Sequence, residues 1–317
     1  MNPTYSWLDG KLTPWAESKI HINSDAVLRG ASVFEGLRAY LAADGSGQLN
    51  LFRFEDHLDR LFGVSTRVLR LKVPYSRAQL LEAVLSLLRA NEVRSDAHIR
   101  LVAYFDELPT GVAGTEEDPT GVYAIAFERP SSPKLRTGVR STVSAWRRPS
   151  DNALSPRVKA SANYLNSRLA SVDARLKGFD VPVMLNERGK VSEGPGQNVF
   201  LVRDGAVLTP RITDAILEGI TRETVLGLAR SLGYSVEERE IDATELYVAE
   251  ELFFCGTAME VQPVIEIDGY TVGDGAMGPI TSRLQEAYFA LVRGQAAAPA
   301  GWLTPVYEVV PLALRGT

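Results

Sequence analysis

Residues 155–167 read SPRVKASANYLNS and place one lysine, Lys159, among proline, small residues and turn formers. Lysine side chains are mostly exposed, so a solvated lysine beside a helix start is the simple interpretation of this stretch. The alternative is a lysine in a pocket, where its amine can form a Schiff base with a carbonyl compound. Tyr164 follows five residues later, and Asn163 is placed to cap a predicted helix. This stretch alone leaves both interpretations open.

Composition narrows the class of protein. The chain has 317 residues, 45% of them hydrophobic, which predicts one large or two medium-sized domains. The chain has 34 basic and 39 acidic residues, and its lysines and arginines are not clustered in any one block. This distribution argues against binding to nucleic acid or to an anionic membrane. Cys255 is the only cysteine, so no intrachain disulfide can form and a reducing compartment fits. The sequence shows neither a signal-peptide core nor a membrane-span length, so we expect a cytoplasmic protein, and its size favours an enzyme.

The element pattern changes near the middle of the chain. The first half reads as α+β, with strands predicted at 5–10, 35–41, 48–54, 98–105 and 121–127, a helix at 54–71, and a second helix after a Ser76–Gln79 capping box. In the second half, strands are predicted at 139–146, 181–185, 198–202, 235–240, 252–256 and 264–268. Helices are predicted at 165–177, 221–232, 243–250 and 279–293. The helix at 243–250 is preceded by an Asp242–Glu245 capping box. We predict an N-terminal domain at 1–127, a connection at 128–138, a C-terminal domain at 139–294 and a tail at 295–317.

Three further stretches combine glycines with residues that could carry chemistry. Glu193 precedes Gly194-Pro195-Gly196, a tight turn at which backbone can approach a ligand closely. Gly219-Ile220-Thr221 precedes a predicted helix whose free N–H groups could bind an anion, and Gly256-Thr257-Ala258 is another small-residue turn. Each also has a simple structural interpretation, as an ordinary turn or as helix capping. A lone arginine on a helix, Arg60, is usually solvated.

Taken together, these stretches resemble the class IV pyridoxal-phosphate aminotransferases, the fold type IV family, and among them the branched-chain aminotransferases most of all. Six elements occur in the family's order and with similar spacing across nearly the whole chain: SVFEG (32–36), FRFEDHLDRL (52–61), KASANYLNS (159–167), SEGPGQNVF (192–200), LEGITRETV (217–225) and CGTAMEV (255–261). Each element is modest alone, whereas six in order are specific.

The resemblance implies a fold and a set of site residues. The fold would have a smaller N-terminal α/β domain, a larger C-terminal domain with a pseudo-barrel, and pyridoxal 5′-phosphate at the domain interface, with no metal. Lys159 would bind the cofactor as a Schiff base, Glu193 would pair with its pyridine nitrogen and Tyr164 with its O3′. The remaining matches are the phosphate-binding residues Arg60, Ile220, Thr221 and Thr257, the residue packed on the cofactor ring, Leu217, and the substrate-pocket residues Phe34, Gly36 and Ala258.

The substrate side departs from the family's pattern. Arg29 stands where branched-chain enzymes often have a tyrosine, and His98 replaces the tyrosine of a Tyr-x-Arg-Pro element. Arg100 of that element is retained, and arginine suits carboxylate recognition. His98 removes a phenol and adds a group that titrates near neutrality. These positions could simply have drifted, as loops do. The sharper hypothesis is an altered substrate pocket, which predicts poor activity on leucine, isoleucine and valine, or activity on a polar or aromatic substrate.

Three functions follow from the resemblance. The first is ping-pong transfer of an amino group between a branched-chain-like L-amino acid and a 2-oxo acid such as 2-oxoglutarate. The second is a relative with an altered outcome, namely a D-amino-acid or (R)-amine transaminase or an aminodeoxychorismate-type lyase. The third, a non-catalytic cofactor-binding protein, is disfavoured because Lys159, Tyr164 and Glu193 are all present. The family also implies a homodimer or a higher homo-oligomer.

Overall fold

The computed structural model describes residues 2–108 and 117–307, which fold into two compact units. Among the described residues, the first unit comprises 2–108, 117–130 and 290–307, and the second comprises 131–289. Of the predicted tail, residues 308–317 lie outside the described part of the chain, as do residues 1 and 109–116 of the predicted N-terminal domain. No helix among the described residues is long and apolar enough to cross a membrane.

The helices and strands of the described residues have the following bounds. The strands are β1 (Tyr5–Leu8), β2 (Lys11–Pro14), β3 (Ser32–Leu41), β4 (Leu49–Phe52), β5 (Ala97–Phe105), β6 (Thr120–Glu128), β7 (Val139–Val143), β8 (Val181–Val183), β9 (Asn198–Arg203), β10 (Ala206–Thr209), β11 (Val236–Glu238), β12 (Glu251–Gly256), β13 (Glu260–Ile267), β14 (Tyr270–Thr271) and β15 (Leu303–Pro305). The α-helices are α1 (Asp25–Arg29), α2 (Phe54–Arg60), α3 (Thr66–Leu69), α4 (Arg77–Ala90), α5 (Lys134–Thr137), α6 (Asn163–Leu176), α7 (Ile220–Ser231) and α8 (Pro279–Val292). A π-helical turn spans Leu61–Ser65, and 3-10 turns span Trp15–Glu17 and Ala243–Tyr247.

The first unit is built on one antiparallel sheet with the strand order β15-β4-β3-β5-β6-β1-β2. Helix α4 begins at the predicted capping box, in which Ser76 Oγ accepts from the Gln79 N–H and Gln79 Oε1 accepts from the Ser76 N–H. Its apolar face, which includes Leu80, Val84 and Leu88, is fully buried. Burial of such a stripe supplies most of the stability of a helix of this length.

The second unit is built on a mixed sheet with the strand order β11-β10-β9-β12-β13-β7-β8, and β14 pairs with β13. The central strands are antiparallel, whereas β11, β7 and β8 join as parallel strands. Alternate residues of β9 and β12, such as Val199, Leu201 and Phe254, enter one apolar core. On the other face the rings of Phe200 and Phe253 stack with their centroids 5.0 Å apart. This sheet carries the turns with the glycine motifs.

Several sequence predictions need correction. The helix predicted at 243–250 is only the 3-10 turn Ala243–Tyr247, because the chain must enter β12 at Glu251, although the Asp242–Glu245 capping box forms as predicted. The strand predicted at 139–146 ends at Val143, where Ser144 Oγ accepts from the Trp146 N–H and turns the backbone. The segment treated as a tail contributes β15, which pairs with β4.

A buried carboxylate caps α8 from a distance. Glu251 accepts from the Ile280 N–H (2.9 Å), the Thr281 N–H (2.7 Å) and the Thr281 hydroxyl (2.6 Å). We expect Glu251→Gln to lower the free energy of unfolding by about 2 kcal/mol, because a charged acceptor is replaced by an amide whose NH2 group faces donors. Chemical denaturation measures the loss. The matched Glu237→Gln variant removes an exposed ion pair and should change stability by under about 0.5 kcal/mol. Equal stability of the two variants would contradict this capping role.

Candidate active site

Lys159 lies in a turn that the start of α6 holds in place. Asn163 is the first residue of α6 and does not cap it, contrary to the prediction, since its Nδ2 donates to the carbonyl oxygens of Ser155 (3.2 Å) and Val158 (3.0 Å). The Lys159 side chain is half-buried, and its Nζ donates to the Tyr164 hydroxyl at 2.9 Å. Lys159 is therefore not a solvated surface lysine, and the small residues around it allow the turn to pack closely.

Glu193 is buried and held by three donors. Its Oε1 lies 2.9 Å from Arg148 Nη2, and the side chains of both residues are about 5–6% exposed. Its Oε2 accepts from Asn198 Nδ2 at 3.0 Å and from the Leu217 N–H at 3.1 Å. Asn198 Nδ2 also donates to the Leu217 carbonyl, so one amide links the glutamate to the stretch before α7. A guanidinium and two N–H groups match a charged carboxylate, which is thereby fixed in orientation.

The glycine turns lie next to each other and next to Tyr164. A Cβ atom added at Gly196 would lie 3.8 Å from Tyr164 Cε1, so the tyrosine ring packs against this turn. A Cβ atom added at Gly256 would lie 3.2 Å from the Gly196 carbonyl oxygen. The turn of Thr257 and Ala258 therefore adjoins the turn that follows Glu193. Larger residues at either glycine would push the two turns apart.

The N-terminus of α7 completes this cluster in the second unit. Gly219 occupies the cap position, and a Cβ atom there would lie 2.0 Å from Asn198 Oδ1. Ile220 and Thr221 follow, and both are buried. The backbone N–H groups of a helix N-terminus, together with a hydroxyl such as that of Thr221, suit an anion such as phosphate. The structure thus brings the predicted residues of this unit together around Lys159 and Glu193.

Four predicted substrate residues share one face of the sheet in the first unit. Phe34 and Gly36 lie on β3, and His98 and Arg100 lie on β5, with Gly36 paired to Arg100. A Cβ atom at Gly36 would lie 3.2 Å from His98 Cε1, so the imidazole packs over this glycine. The Arg100 guanidinium lies 5.6 Å from the centroid of the Phe34 ring. Arg29 lies apart from them on α1, half-exposed and ion-paired with Asp25.

Strand β6 adds apolar neighbours to this face that the sequence did not single out. Tyr123, Ile125 and Phe127 pair with Val102, Arg100 and His98 respectively. Burial raises the pKa of Tyr123, and the nearby Arg100 guanidinium opposes that shift. Arg100 therefore stands among aromatic and aliphatic side chains, an environment that can bind a carboxylate and apolar groups side by side.

Arg60 lies at the end of α2 in a buried ion cluster. Its Nε and Nη2 bind the two carboxylate oxygens of Glu35 at 2.9 and 2.6 Å, and His57 Nδ1 lies 2.7 Å from Glu35 Oε2. Burial alone would raise the pKa of Glu35, but Arg60 and His57 outweigh it and lower that pKa to about 2. The cluster therefore carries a carboxylate that stays ionised at all physiological pH values.

This pKa shift predicts how stability depends on pH. Because the pKa of Glu35 is lower in the folded chain than the ordinary 4.5, its contribution is fully present above pH 4.5 and is lost as the pH falls toward 2. The difference in unfolding free energy between wild type and Glu35→Gln should be constant near neutrality and shrink below pH 4.5. Denaturant titrations at several pH values measure it. A difference that stays constant down to about pH 3 would show that Glu35 has no such shift.

Four residues of these clusters were not predicted from the sequence: Arg148, Asn198, Glu35 and His57. Arg148 stands beside Arg147 in AWRRPS, and nothing local marks one arginine as buried and the other as not. Asn198 opens an apolar strand directly after a glycine turn, a position at which a polar side chain often binds backbone. Glu35 carries the clearest signal, because a glutamate inside an apolar strand is rarely buried without a partner.

A close approach between Gly219 and Asn198 gives a further prediction. We expect Gly219→Ala to lower the free energy of unfolding by about 1–3 kcal/mol and to impair activity, because its methyl group would displace the asparagine that holds Glu193. The matched variant is Gly227→Ala, at a helical glycine with open space around it, which should stabilise the chain by about 0.5–1 kcal/mol. Thermal and chemical unfolding measure both. Similar effects of the two variants would show that Gly219 is not confined.

Within residues 2–108 and 117–307, no group of three or more histidine, cysteine, aspartate or glutamate side chains could hold a metal ion. The cluster around Lys159 instead offers an amine, a phenol, a fixed carboxylate and an anion-binding helix end. These groups suit a cofactor that has a carbonyl, a basic ring nitrogen and a phosphate.

Comparisons with known proteins agree with this geometry. A family model described as "Amino-transferase class IV" matches residues 32–267. A probable branched-chain-amino-acid aminotransferase of Aquifex aeolicus is 40% identical over 306 residues, which cover 96% of this chain and 97% of that protein. The crystal structure of the Escherichia coli branched-chain amino acid aminotransferase matches with a TM-score of 0.92 and 36% identity, covering 96% of this chain and 100% of the other.

A third relative was solved with its cofactor. The branched-chain amino acid aminotransferase of Thermobaculum terrenum, in its PLP-form, matches with a TM-score of 0.88 and 39% identity, covering 97% of this chain and 99% of that one. These matches confirm the resemblance that the six sequence elements indicate.

Proposed function

The chain belongs to the class IV aminotransferase family, and we propose that it transfers an amino group between a branched-chain L-amino acid and a 2-oxo acid such as 2-oxoglutarate. The observation that carries the proposal is the contact of Lys159 with Tyr164 beside the fixed carboxylate of Glu193. Relatives at 37–40% identity over nearly the full chain, all named as branched-chain aminotransferases, support the substrate class.

The second unit has the groups that pyridoxal phosphate needs. This cofactor, which enzymes of the family use, supplies an aldehyde that binds amines and a ring that withdraws electrons from a bound amino acid. We propose that the Lys159 amine binds the aldehyde carbon and that the Glu193 carboxylate faces the ring nitrogen, where a fixed negative charge favours the protonated form. The Tyr164 phenol accepts a hydrogen bond from Lys159 and keeps its own proton to donate to the ring oxygen.

Phosphate binding is assigned to the residues that match the family's phosphate-binding positions. In the second unit these are the N–H groups of Ile220 and Thr221 at the start of α7, the Thr221 hydroxyl and the Thr257 turn. In the first unit Arg60 supplies a guanidinium, which suits a phosphate dianion. Leu217 is proposed to pack on the cofactor ring, and its backbone is already fixed by Glu193 and Asn198.

Proton transfer is assigned to Lys159. Its amine could accept the proton from the substrate Cα and later return one, as a general base and acid. The Tyr164 hydroxyl, at 2.9 Å from Nζ, orients the amine for both steps. Phe34, Gly36, Ala258 and Arg100 are proposed to contact the substrate, with Arg100 binding a carboxylate and Phe34 an apolar side chain.

A donor and acceptor panel tests this proposal. L-leucine, L-isoleucine and L-valine with 2-oxoglutarate should give the fastest turnover, with glutamate of L configuration as the product. Faster reaction with a D-amino acid or an (R)-amine, or pyruvate release from aminodeoxychorismate, would replace it with the alternative of an altered pocket. This alternative stays open because Arg29 and His98 differ from the family's usual residues at these positions. A protein that binds no pyridoxal phosphate would refute both.

Several family expectations remain predictions for this chain. We propose that it forms a homodimer, which light scattering of the purified protein would test. The cytoplasmic location, the pseudo-barrel of the second sheet and the position of the cofactor at a domain interface rest on the resemblance. The fold itself is shared with the solved branched-chain aminotransferases, and two separate sheets are present as that fold requires.

A further inference from the structure

A buried cluster in the first unit fixes the orientation of the Arg60 guanidinium. Glu35 is fully buried, and its two oxygens accept from Arg60 Nε and Nη2 at 2.9 and 2.6 Å. Two parallel bonds fix the plane of a guanidinium, which a single bond would leave free to rotate. His57, only 2% exposed, contacts the same carboxylate through Nδ1 at 2.7 Å and so fixes the carboxylate in turn.

The local backbone explains how this cluster forms. His57 and Arg60 are three residues apart on α2 and therefore lie on one face of the helix. On β3, Glu35 points to the face opposite that of Phe34 and Gly36, because side chains alternate along a strand. Directly after Arg60 the helix widens into a π-helical turn, a deviation that is frequent at functional sites. Arg60 thus lies at the point where α2 ends and the π-helical turn begins.

We propose that Glu35 and His57 are positioning residues that hold the Arg60 guanidinium for the phosphate of pyridoxal phosphate. The inference rests on the proposed function, which assigns Arg60 to that phosphate. Side-on pairing with Glu35 engages the Nε–H and one Nη2–H of Arg60 and so fixes the plane in which the whole guanidinium lies.

Removing the charge of Glu35 should change the affinity for pyridoxal phosphate in one direction if Glu35 orients Arg60 and in the opposite direction if it repels the phosphate. A carboxylate near a phosphate repels it, so Glu35→Gln would tighten binding of pyridoxal phosphate if repulsion dominated. If orientation dominates, the same change frees the guanidinium to adopt other rotamers, and binding weakens. The two oxygen contacts and the full burial of Glu35 favour orientation, because a buried arginine loses its defined position along with its partner.

The test uses the phosphate group itself as the probe. Apoprotein of wild type, Glu35→Gln and Arg60→Ala is titrated with pyridoxal phosphate and, separately, with pyridoxal, which lacks the phosphate, and the visible absorbance of the bound compound is recorded. Glu35→Gln should weaken binding of pyridoxal phosphate by about tenfold or more, the loss typical when a residue that orients a ligand-binding group is removed. Binding of pyridoxal should not change. Arg60→Ala should show the same selectivity.

A double variant separates positioning from a structural role. If Glu35 acts through Arg60, adding Glu35→Gln to Arg60→Ala should cause no further loss of affinity for pyridoxal phosphate. Glu251→Gln is the matched control, since it removes another buried carboxylate and should lower stability without changing the ratio of the two affinities. Should Glu35→Gln fail to fold, His57→Leu removes one contact to the carboxylate and should give a smaller loss, again for pyridoxal phosphate alone.

The possible failures are distinguishable. Unchanged or tighter binding of pyridoxal phosphate by Glu35→Gln, with weaker binding by Arg60→Ala, would overturn positioning and leave the role of Arg60 intact. Equal losses for both compounds in Glu35→Gln would mean that Glu35 only stabilises the fold, which also overturns the proposal. An Arg60→Ala variant that binds both compounds as wild type does would refute the assignment of Arg60 and, with it, this inference.

Discussion

Replacing Lys159 with alanine should abolish transamination. A positioned acid–base group contributes about 10²–10⁴-fold to a rate, and this lysine would also lose its covalent attachment to the cofactor, so we expect a loss of about 10⁴-fold or more. Stability should change little, because the half-buried Lys159 side chain contacts the Tyr164 hydroxyl in a part-buried position rather than in the core. Steady-state assays with an amino donor and 2-oxoglutarate measure the loss, and absorbance spectra show whether the visible band of the bound cofactor disappears.

The matched control is another lysine of the second unit. Lys190 Nζ pairs with Asp242 at 2.7 Å, and the Asp242 side chain is 64% exposed, so this ion pair lies at the surface. Lys190→Ala should therefore retain wild-type activity and the visible band. If Lys159→Ala kept a band that shifts on addition of an amino donor, the covalent role would belong to a different residue. A pair of variants with equally reduced activity would point to general destabilisation, which unfolding curves of both would reveal.

The part of the site that the sequence predicts is local. Lys159 lies in the turn before α6 and Tyr164 is the second residue of that helix, so both partners of this contact come from one short stretch. The turns at Gly196 and Gly256 can be predicted because glycine marks close backbone approach, and the structure places them side by side. The capping boxes at Ser76 and Asp242 depend on two residues each and form as predicted.

The part that the sequence did not predict depends on pairing at a distance. Arg148 reaches Glu193 from a different segment, and Glu35 reaches α2 from a strand, so neither contact leaves a local pattern. The short strands β2, β10 and β15 form because partners lie beside them, and three or four residues carry too little periodicity to reveal this. The stretch at 243–250 was instead overpredicted. Its capping box indicated a helix, but only the 3-10 turn Ala243–Tyr247 forms, because β12 begins at Glu251.

Replacing Glu193 with glutamine should separate the electrostatic role of this residue from its structural one. The amide keeps the shape of the side chain but removes the negative charge that favours a protonated ring nitrogen. We expect activity to fall by about 10²–10³-fold, the range observed when one electrostatic group at a reacting centre is lost. The variant should also unfold about 3 kcal/mol more easily, because Arg148 stays buried without its carboxylate partner.

A second substitution distinguishes these two effects. Arg148→Met in the Glu193→Gln background removes the unpaired buried charge and should restore much of the lost stability, since an apolar side chain of similar length can replace a buried ion pair. It should not restore activity, because the charge facing the ring nitrogen is still missing. Unfolding free energies and turnover numbers of the single and double variants measure the separation. Recovery of activity along with stability would mean that Glu193 serves only the fold, whereas recovery of stability alone would place its charge in the chemistry.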